Sequence, residues 1–150
     1  MNKDLLHELF TYKDGQLFWR SSSRGRKKTF AGGIDKHSGY FRICINRTIY
    51  RANRLIWVYH NGDIPDGLYV DHINRIKEDN SIDNLRLVTH QENLFNSKSK
   101  GYYFNKVAKK YQAYIRVNTK LINLGVFPVE GDARKAYLVA KEKYHIIKKH

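Results

Sequence analysis

The pattern of this chain predicts an α+β fold, built from small β-hairpins and short helices in two modules. Three observations carry that expectation. Turn dipeptides interrupt alternating runs at Asn46-Arg47 within GYFRICINRTIYRA and at Asn118-Thr119 within KYQAYIRVNTKLINLGVF. Apolar residues fall at helical spacing at Leu55, Ile56 and Val58, and again at Ala133, Ala136, Tyr137, Ala140 and Tyr144. A short polar segment, Lys98 to Lys100, separates a first module (1–98) from a second (99–150).

The elements follow in order. Residues 2–10 suit a short helix with Leu5, Leu6, Leu9 and Phe10 on one stripe. Lys13-Asp14-Gly15 is turn chemistry joining LFTY to QLFW in a hairpin. SSSRGRKKTFAGG, residues 21–33, is basic and aperiodic, a loop suited to phosphate contacts. GYFRICI and TIYRA make a second hairpin in which Cys44 is a packed strand residue, and RANRLIWVYHNG is a helix that stops at Gly62.

GLYVDHIN is then a strand ending near His72, RIKEDNSID a polar loop and NLRLV a second strand. Thr89 followed three residues later by Glu92 is a capping box, so a helix starts there. This strand–loop–strand–helix order forms the centre of the first module, at about residues 67–98. In the second module YYFNK and the hairpin around Asn118-Thr119 give a three-stranded antiparallel sheet, and EGDARKAYLVAKEKYHII gives one helix.

Charge narrows the partner. Twenty-eight Lys and Arg against 14 Asp and Glu leave +14 over 150 residues, which favours a polyanion such as nucleic acid. From Arg20 to His60 there are ten Lys and Arg and one acid, Asp35; from Lys98 to Lys120 there are seven and none, interleaved with Tyr102, Tyr103, Phe104, Tyr111 and Tyr114. No apolar run of about 18 residues offers a spanning helix, and the charged start MNKDLLHELF lacks the pattern of a signal peptide. One cysteine permits neither an internal disulfide nor a CxxC zinc site, so an intracellular, soluble protein is expected.

The chemistry concentrates in VDHINRIKEDNSIDNLRLVTHQEN, Val70 to Asn93. Phosphodiester hydrolysis needs a water, a base to deprotonate it and positive charge near the leaving oxygen. A histidine suits the base, and a carboxylate with an amide oxygen suits Mg2+ better than zinc. His72 with Asp71 and Asn93 supplies that set, and Asn84 can bond loop backbone and hold the His72 end in place. His90 is a competing ligand, while Glu92 fits the cap. Neighbouring strand residues point to opposite faces, so Asp71 and His72 can share a site only where the strand turns into the loop.

These residues resemble the HNH endonucleases with a ββα-metal site, especially the homing-endonuclease-like group of phages and introns. The pattern runs from YRANRLIWVYHNGDIPDGLYVDHIN through DNLRLVTHQENLFN, with twelve residues from His72 to Asn84 and nine more to Asn93. The resemblance covers about residues 10–98. It implies that His72 is the general base, that Asp71 and Asn93 bind Mg2+ (or Mn2+), and that Asn84 braces the loop. It also implies a 5′-phosphate and a 3′-hydroxyl on the products. Asn53 stands where that family usually has histidine, so no catalytic role is expected of it. The missing cysteine quartet excludes the zinc-ribbon branch, and asparagine at the third motif position argues against the three-histidine zinc branch.

Residues 101–145 resemble the APETALA-two/ethylene-response-factor DNA-binding domain, on Gly101, Phe104, Lys106, Ala113, Ile115, Leu124-Gly125, Phe127 and Ala136-Tyr137, with Tyr111 in place of the usual tryptophan. That resemblance implies a sheet laid in the major groove, with Lys106, Lys110, Arg116 and Asn123 facing DNA. Lys120, and Arg75 and Lys77 in the first module's polar loop, complete the expected DNA contacts. The reading is thus a metal-dependent nuclease on double-stranded DNA, from a phage and acting in host cytoplasm or from another mobile element. Its rivals are a non-catalytic DNA-binding regulator and an RNA binder. One site per chain nicks, so double-strand cleavage calls for a homodimer or a second binding event.

Overall fold

The computed structural model describes residues 1–20 and 29–148. It is an α+β chain of small antiparallel sheets and short helices, in two compact units, Met1–Thr89 and His90–Lys148. The division by contacts falls earlier in the chain than 98/99.

The first unit opens with helix α1 (Lys3–Leu9), capped by Asn2, whose side-chain oxygen accepts the Leu5 N–H at 3.0 Å. Strands β1 (Phe10–Lys13) and β2 (Gln16–Trp19) follow as a hairpin. Its two turn residues, Asp14 at φ 47° and Gly15 at φ 76°, both take the left-handed region that a tight hairpin turn requires. Of the expected loop over 21–33, residues 21–28 lie outside the described part. Residues 29–31 run beside β2 instead, with the Ala31 N–H on Leu17 O at 2.8 Å and a bridge between Phe18 and Phe30.

Strands β3 (Gly33–Ile34), β4 (Phe41–Ile45) and β5 (Thr48–Arg51) form the next sheet, with Asn46 and Arg47 in its tight turn. Ile43 and Ile45 take the inward positions of β4, which sends Cys44 outward between them; it is exposed rather than packed. Helix α2 (Ala52–Asn61) lays Leu55, Ile56 and Val58 into the same core as Leu6, Phe10, Leu17, Ile43 and Leu85, and stops at Gly62, whose N–H bonds Val58 O. Strands β6 (Leu68–His72) and β7 (Leu85–Thr89) then pair antiparallel, with a single 3-10 turn, Ile82–Asn84, leading into β7.

The second unit begins with helix α3 (His90–Phe95), directly after Thr89. Glu92 is buried there and accepts the backbone N–H of Lys148 at 3.0 Å. Strands β8 (Tyr102–Asn105), β9 (Lys110–Val117) and β10 (Lys120–Phe127) form a sheet in the order β10-β9-β8, and helix α4 (Glu130–Tyr144) follows. Ile115, Tyr137 and Ala140 make the core, lined by Val117, Ile122, Leu124 and Tyr144. Gly101 abuts that core: at φ 75°, a Cβ on it would lie 2.0 Å from the Tyr137 ring.

Candidate functional site

The β6–β7 hairpin and its loop hold the candidate residues of the first unit. Helix α2 fixes the strand just ahead of them. The buried Asn53 amide donates to Val70 O at 3.2 Å, and its oxygen has no hydrogen-bond partner among the described residues. Asn53 thus braces the residue before Asp71.

The ladder runs unbroken through Asp71↔Arg86 and His72↔Leu85. The bend that would turn Asp71 and His72 to one face is therefore absent, because both sit on regular rungs and alternation sends their side chains to opposite faces. Asp71 meets its cross-strand partner: Arg86 donates through Nε at 3.0 Å and through Nη2 at 2.9 Å, both to Oδ2. His72, on the last rung, meets the loop, where its Nε2 lies 3.0 Å from Asn80 Oδ1. Both side chains of that pair are buried, His72 at 4% exposure and Asn80 at 3%. Asn80 Nδ2 donates to Glu78 O, which leaves its oxygen to face the ring. In the neutral imidazole Nε2 therefore carries the proton and Nδ1 the lone pair.

A second network holds the loop shape. Asn84 Oδ1 accepts the Asn74 N–H at 3.0 Å, and Asn84 Nδ2 donates to Asn74 Oδ1 and to Asp79 O. Asn74 in turn donates to Asp79 Oδ2 at 2.6 Å. The Ser81 hydroxyl beside Asp79 holds its carboxyl below the usual carboxylate range against desolvation, with the Ser81 N–H, the Asn74 amide and the charge of His72 acting the same way. The β1–β2 hairpin supports this loop from behind. Tyr12 Oη accepts the Ile82 N–H at 3.1 Å, and a Cβ on Gly15 would come within 2.9 Å of Ser81 N.

Arg75 and Lys77 are exposed on the same loop, and Lys77 Nζ donates to Ser38 O at 2.9 Å. Asn93 and His90 are exposed on α3, in the second unit. On the second unit's sheet, register places Lys110, Arg116 and Asn123 on one face with Tyr103, Gln112 and Tyr114; Lys120 pairs with Val117 and belongs to the other face. Lys106 lies in the β8–β9 turn. Among the described residues no group of three or more His, Cys, Asp and Glu side chains converges as a metal cage, and no helix is long and apolar enough to cross a membrane.

Sequence reasoning missed Arg86, Asn74, Asp79 and Asn80. Alternation offered one signal, since Arg86 falls opposite Asp71 once the two strands are paired in register. The Asn80 contact had none, because it depends on the path of an aperiodic loop.

Comparison with known proteins bears on the segment just described. Residues 50–94 match the family model described as HNH endonuclease. An uncharacterized HNH endonuclease of Acanthamoeba polyphaga mimivirus is 37% identical over 89 residues, covering 55% of this chain and 46% of that protein. Protein 3.8 of Escherichia phage T7 is 39% identical over 56 residues, covering 35% of this chain and 46% of its own length. The chain thus spans about half the length of the curated relatives it matches. No solved structure matches it.

Proposed function

We propose that this chain is a divalent-metal-dependent DNA endonuclease of homing type, from a phage or another mobile element, and that its HNH endonuclease domain at residues 50–94 hydrolyses the phosphodiester bond. The observation that carries the reading is the buried His72–Asn80 pair inside the matched segment, which fixes an imidazole in one tautomer at a strand end. The bond satisfies a buried ring N–H and at the same time leaves Nδ1 as the basic nitrogen. Held this way, His72 takes a proton from water at Nδ1, and Asn80 supports the positive charge that then develops on the ring.

Asp71 and Asn93 offer a carboxylate and an amide oxygen, hard donors that fit Mg2+ (or Mn2+) and leave room for water in its shell. When bound, that ion would supply positive charge beside the leaving oxygen. The segment that matches the family model includes both the β6–β7 hairpin and most of α3. Arg86 neutralises Asp71 across the ladder, so it must share the carboxylate with the ion or release it. Asn84 keeps the loop closed around His72. The second unit is assigned to duplex binding as an ethylene-response-factor-like module, with Lys110, Arg116 and Asn123 toward the DNA and the basic Lys106, Arg75 and Lys77 in support, while Lys120 lies on the other face of the sheet.

One observation favours a second reading, a non-catalytic DNA-binding regulator. Asp71 and His72 leave opposite faces of the hairpin, and Arg86 already occupies the carboxylate. Supercoiled plasmid incubated with Mg2+, with Mn2+ and with EDTA separates the two. Nicking that needs the metal and disappears in His72→Ala supports the nuclease. Plasmid binding without cutting under either metal overturns it in favour of the regulator.

A further inference from the structure

The outer face of the β3–β4–β5 sheet carries an arrangement that folding alone does not explain. Arg42 and Arg51 stand directly opposite each other in the β4–β5 register, and like charges so placed repel. Asp35 answers Arg42 at 2.7 Å, with its carboxylate held by the Ser38 N–H and hydroxyl. Among the described residues no carboxylate pairs with Arg51 or with Lys77. Both cations instead lie over one ring, Tyr40, with the Arg51 guanidinium carbon 4.4 Å and Lys77 Nζ 4.7 Å from its centroid. That ring is itself 6.1 Å from the His72 ring.

Two long cationic side chains on one half-buried ring lose rotamer freedom and gain mutual repulsion. Each cation–π contact returns only about 0.5–1 kcal/mol at an exposed site. Lys77 is fixed further by its bond to Ser38 O, reaching from the His72 loop to the turn before β4. Helix α2 starts immediately after Arg51 with no side-chain cap and no acid in its first turn, so its own first turn does not offset its positive end. The result is concentrated, pre-ordered positive charge beside the candidate base, with an arginine fork suited to phosphate oxygens.

We propose that Arg51 and Lys77, seated on Tyr40, form a binding site for a backbone phosphate of duplex DNA flanking the phosphate presented to His72. The proposal rests on the nuclease reading for what lies at His72, whereas the binding site itself is tested without cleavage. Tyr40 is the platform, Arg51 and Lys77 are the contacts, and Arg42 is held back by Asp35.

The test is equilibrium binding of the full chain, in the His72→Ala background and in EDTA, to a short DNA duplex over a series of KCl concentrations. The double substitution Arg51→Gln and Lys77→Gln should lower the slope of log K against log[KCl] by about 0.9, the loss of one phosphate contact, with each single change showing part of it. Lys13→Gln, an exposed charge on β1, should leave the slope unchanged. Tyr40→Phe should bind as the parent, whereas Tyr40→Leu should bind more weakly. An unchanged slope in the double variant overturns the proposal, as does an equal loss in Lys13→Gln, which would mark a net-charge effect. Loss confined to an RNA duplex of the same length overturns the assignment to DNA. Thermal melts identify any variant that fails to fold, and the singles at exposed Arg51 and Lys77 then carry the test. Slope loss in a protein that never nicks plasmid supports the phosphate site and removes the nuclease reading; nicking without slope loss does the reverse.

Discussion

The Nε2 of His72 and the Oδ1 of Asn80 lie 3.0 Å apart, between two side chains that are almost wholly buried. The bond spans an eight-residue interval of loop, so the orientation of the imidazole depends on the whole path from Ile73 to Asn80. Asn80 is thereby a positioning residue for His72.

Asn80→Ala should remove the acceptor, leave a buried N–H unsatisfied at a cost of about 1–3 kcal/mol, and lower the nicking rate by about 10–100-fold, chiefly in kcat. Asn80→Asp separates positioning from mere support of the fold. A carboxylate there keeps an acceptor but stabilises the imidazolium, so the acid limb of the pH–rate profile should move to higher pH. A rate loss in Asn80→Asp with an unmoved profile would show that Asn80 does not act through His72.

Gly15 tests the support behind the loop. Its φ is 76°, and a Cβ added there would approach Ser81 N to 2.9 Å, so Gly15→Ala must strain the turn or push the Asn80–Ser81 backbone. We expect a loss of about 1–3 kcal/mol in denaturant melts and a larger fall in nicking than His72-independent DNA binding shows. Equal losses of nicking and binding would mean that the hairpin supports the unit as a whole and not the site.

What the sequence disclosed follows from the range of the forces involved. The tight turns at Asp14-Gly15, Asn46-Arg47 and Asn118-Thr119 are local chemistry, and each joins the expected strands. The stripe of Leu55, Ile56 and Val58 and the Gly62 stop are equally local. Cys44 departs from expectation because alternation says that neighbours differ in facing but not which set is inside; Ile43 and Ile45 decide it by burial. The bend at Asp71 is required by chemistry and not by any turn residue, and the ladder continues through both positions. Contacts such as Tyr12 to Ile82 and Lys77 to Ser38 join residues far apart in the chain, where no periodicity reports them.

The second unit's sheet permits a test by face. Lys110 and Arg116 share the face that carries Gln112 and Tyr114, and Lys120 has the opposite parity beside Val117. Lys110→Gln and Arg116→Gln should each lower the salt slope of duplex binding by about 1, and Lys120→Gln should leave it near the parent value. Filter binding over a KCl series checks this. The reverse ranking would place DNA against the other face of the sheet.

His60 supplies a prediction about pH that is separate from cleavage. Burial pushes its imidazole below the ordinary value of 6.5, the charges of His7 and Lys3 push the same way, and Asp83 opposes them. Its Nε2 is buried with no hydrogen-bond partner among the described residues, and its ring meets Tyr12 edge-on at 4.4 Å. The folded chain therefore resists protonation that the unfolded chain accepts. Above 6.5 both states hold the neutral ring and the fold keeps its full stability. As pH falls below 6.5 the unfolded state binds the proton first, and stability is lost until pH passes the lower folded value. Thermal midpoints of the wild type should accordingly drop on acidification from about neutral pH into the range below the ordinary histidine value, and His60→Gln should show a smaller drop because it has no proton to take up. Parallel curves for the two proteins would assign the acid sensitivity to another group.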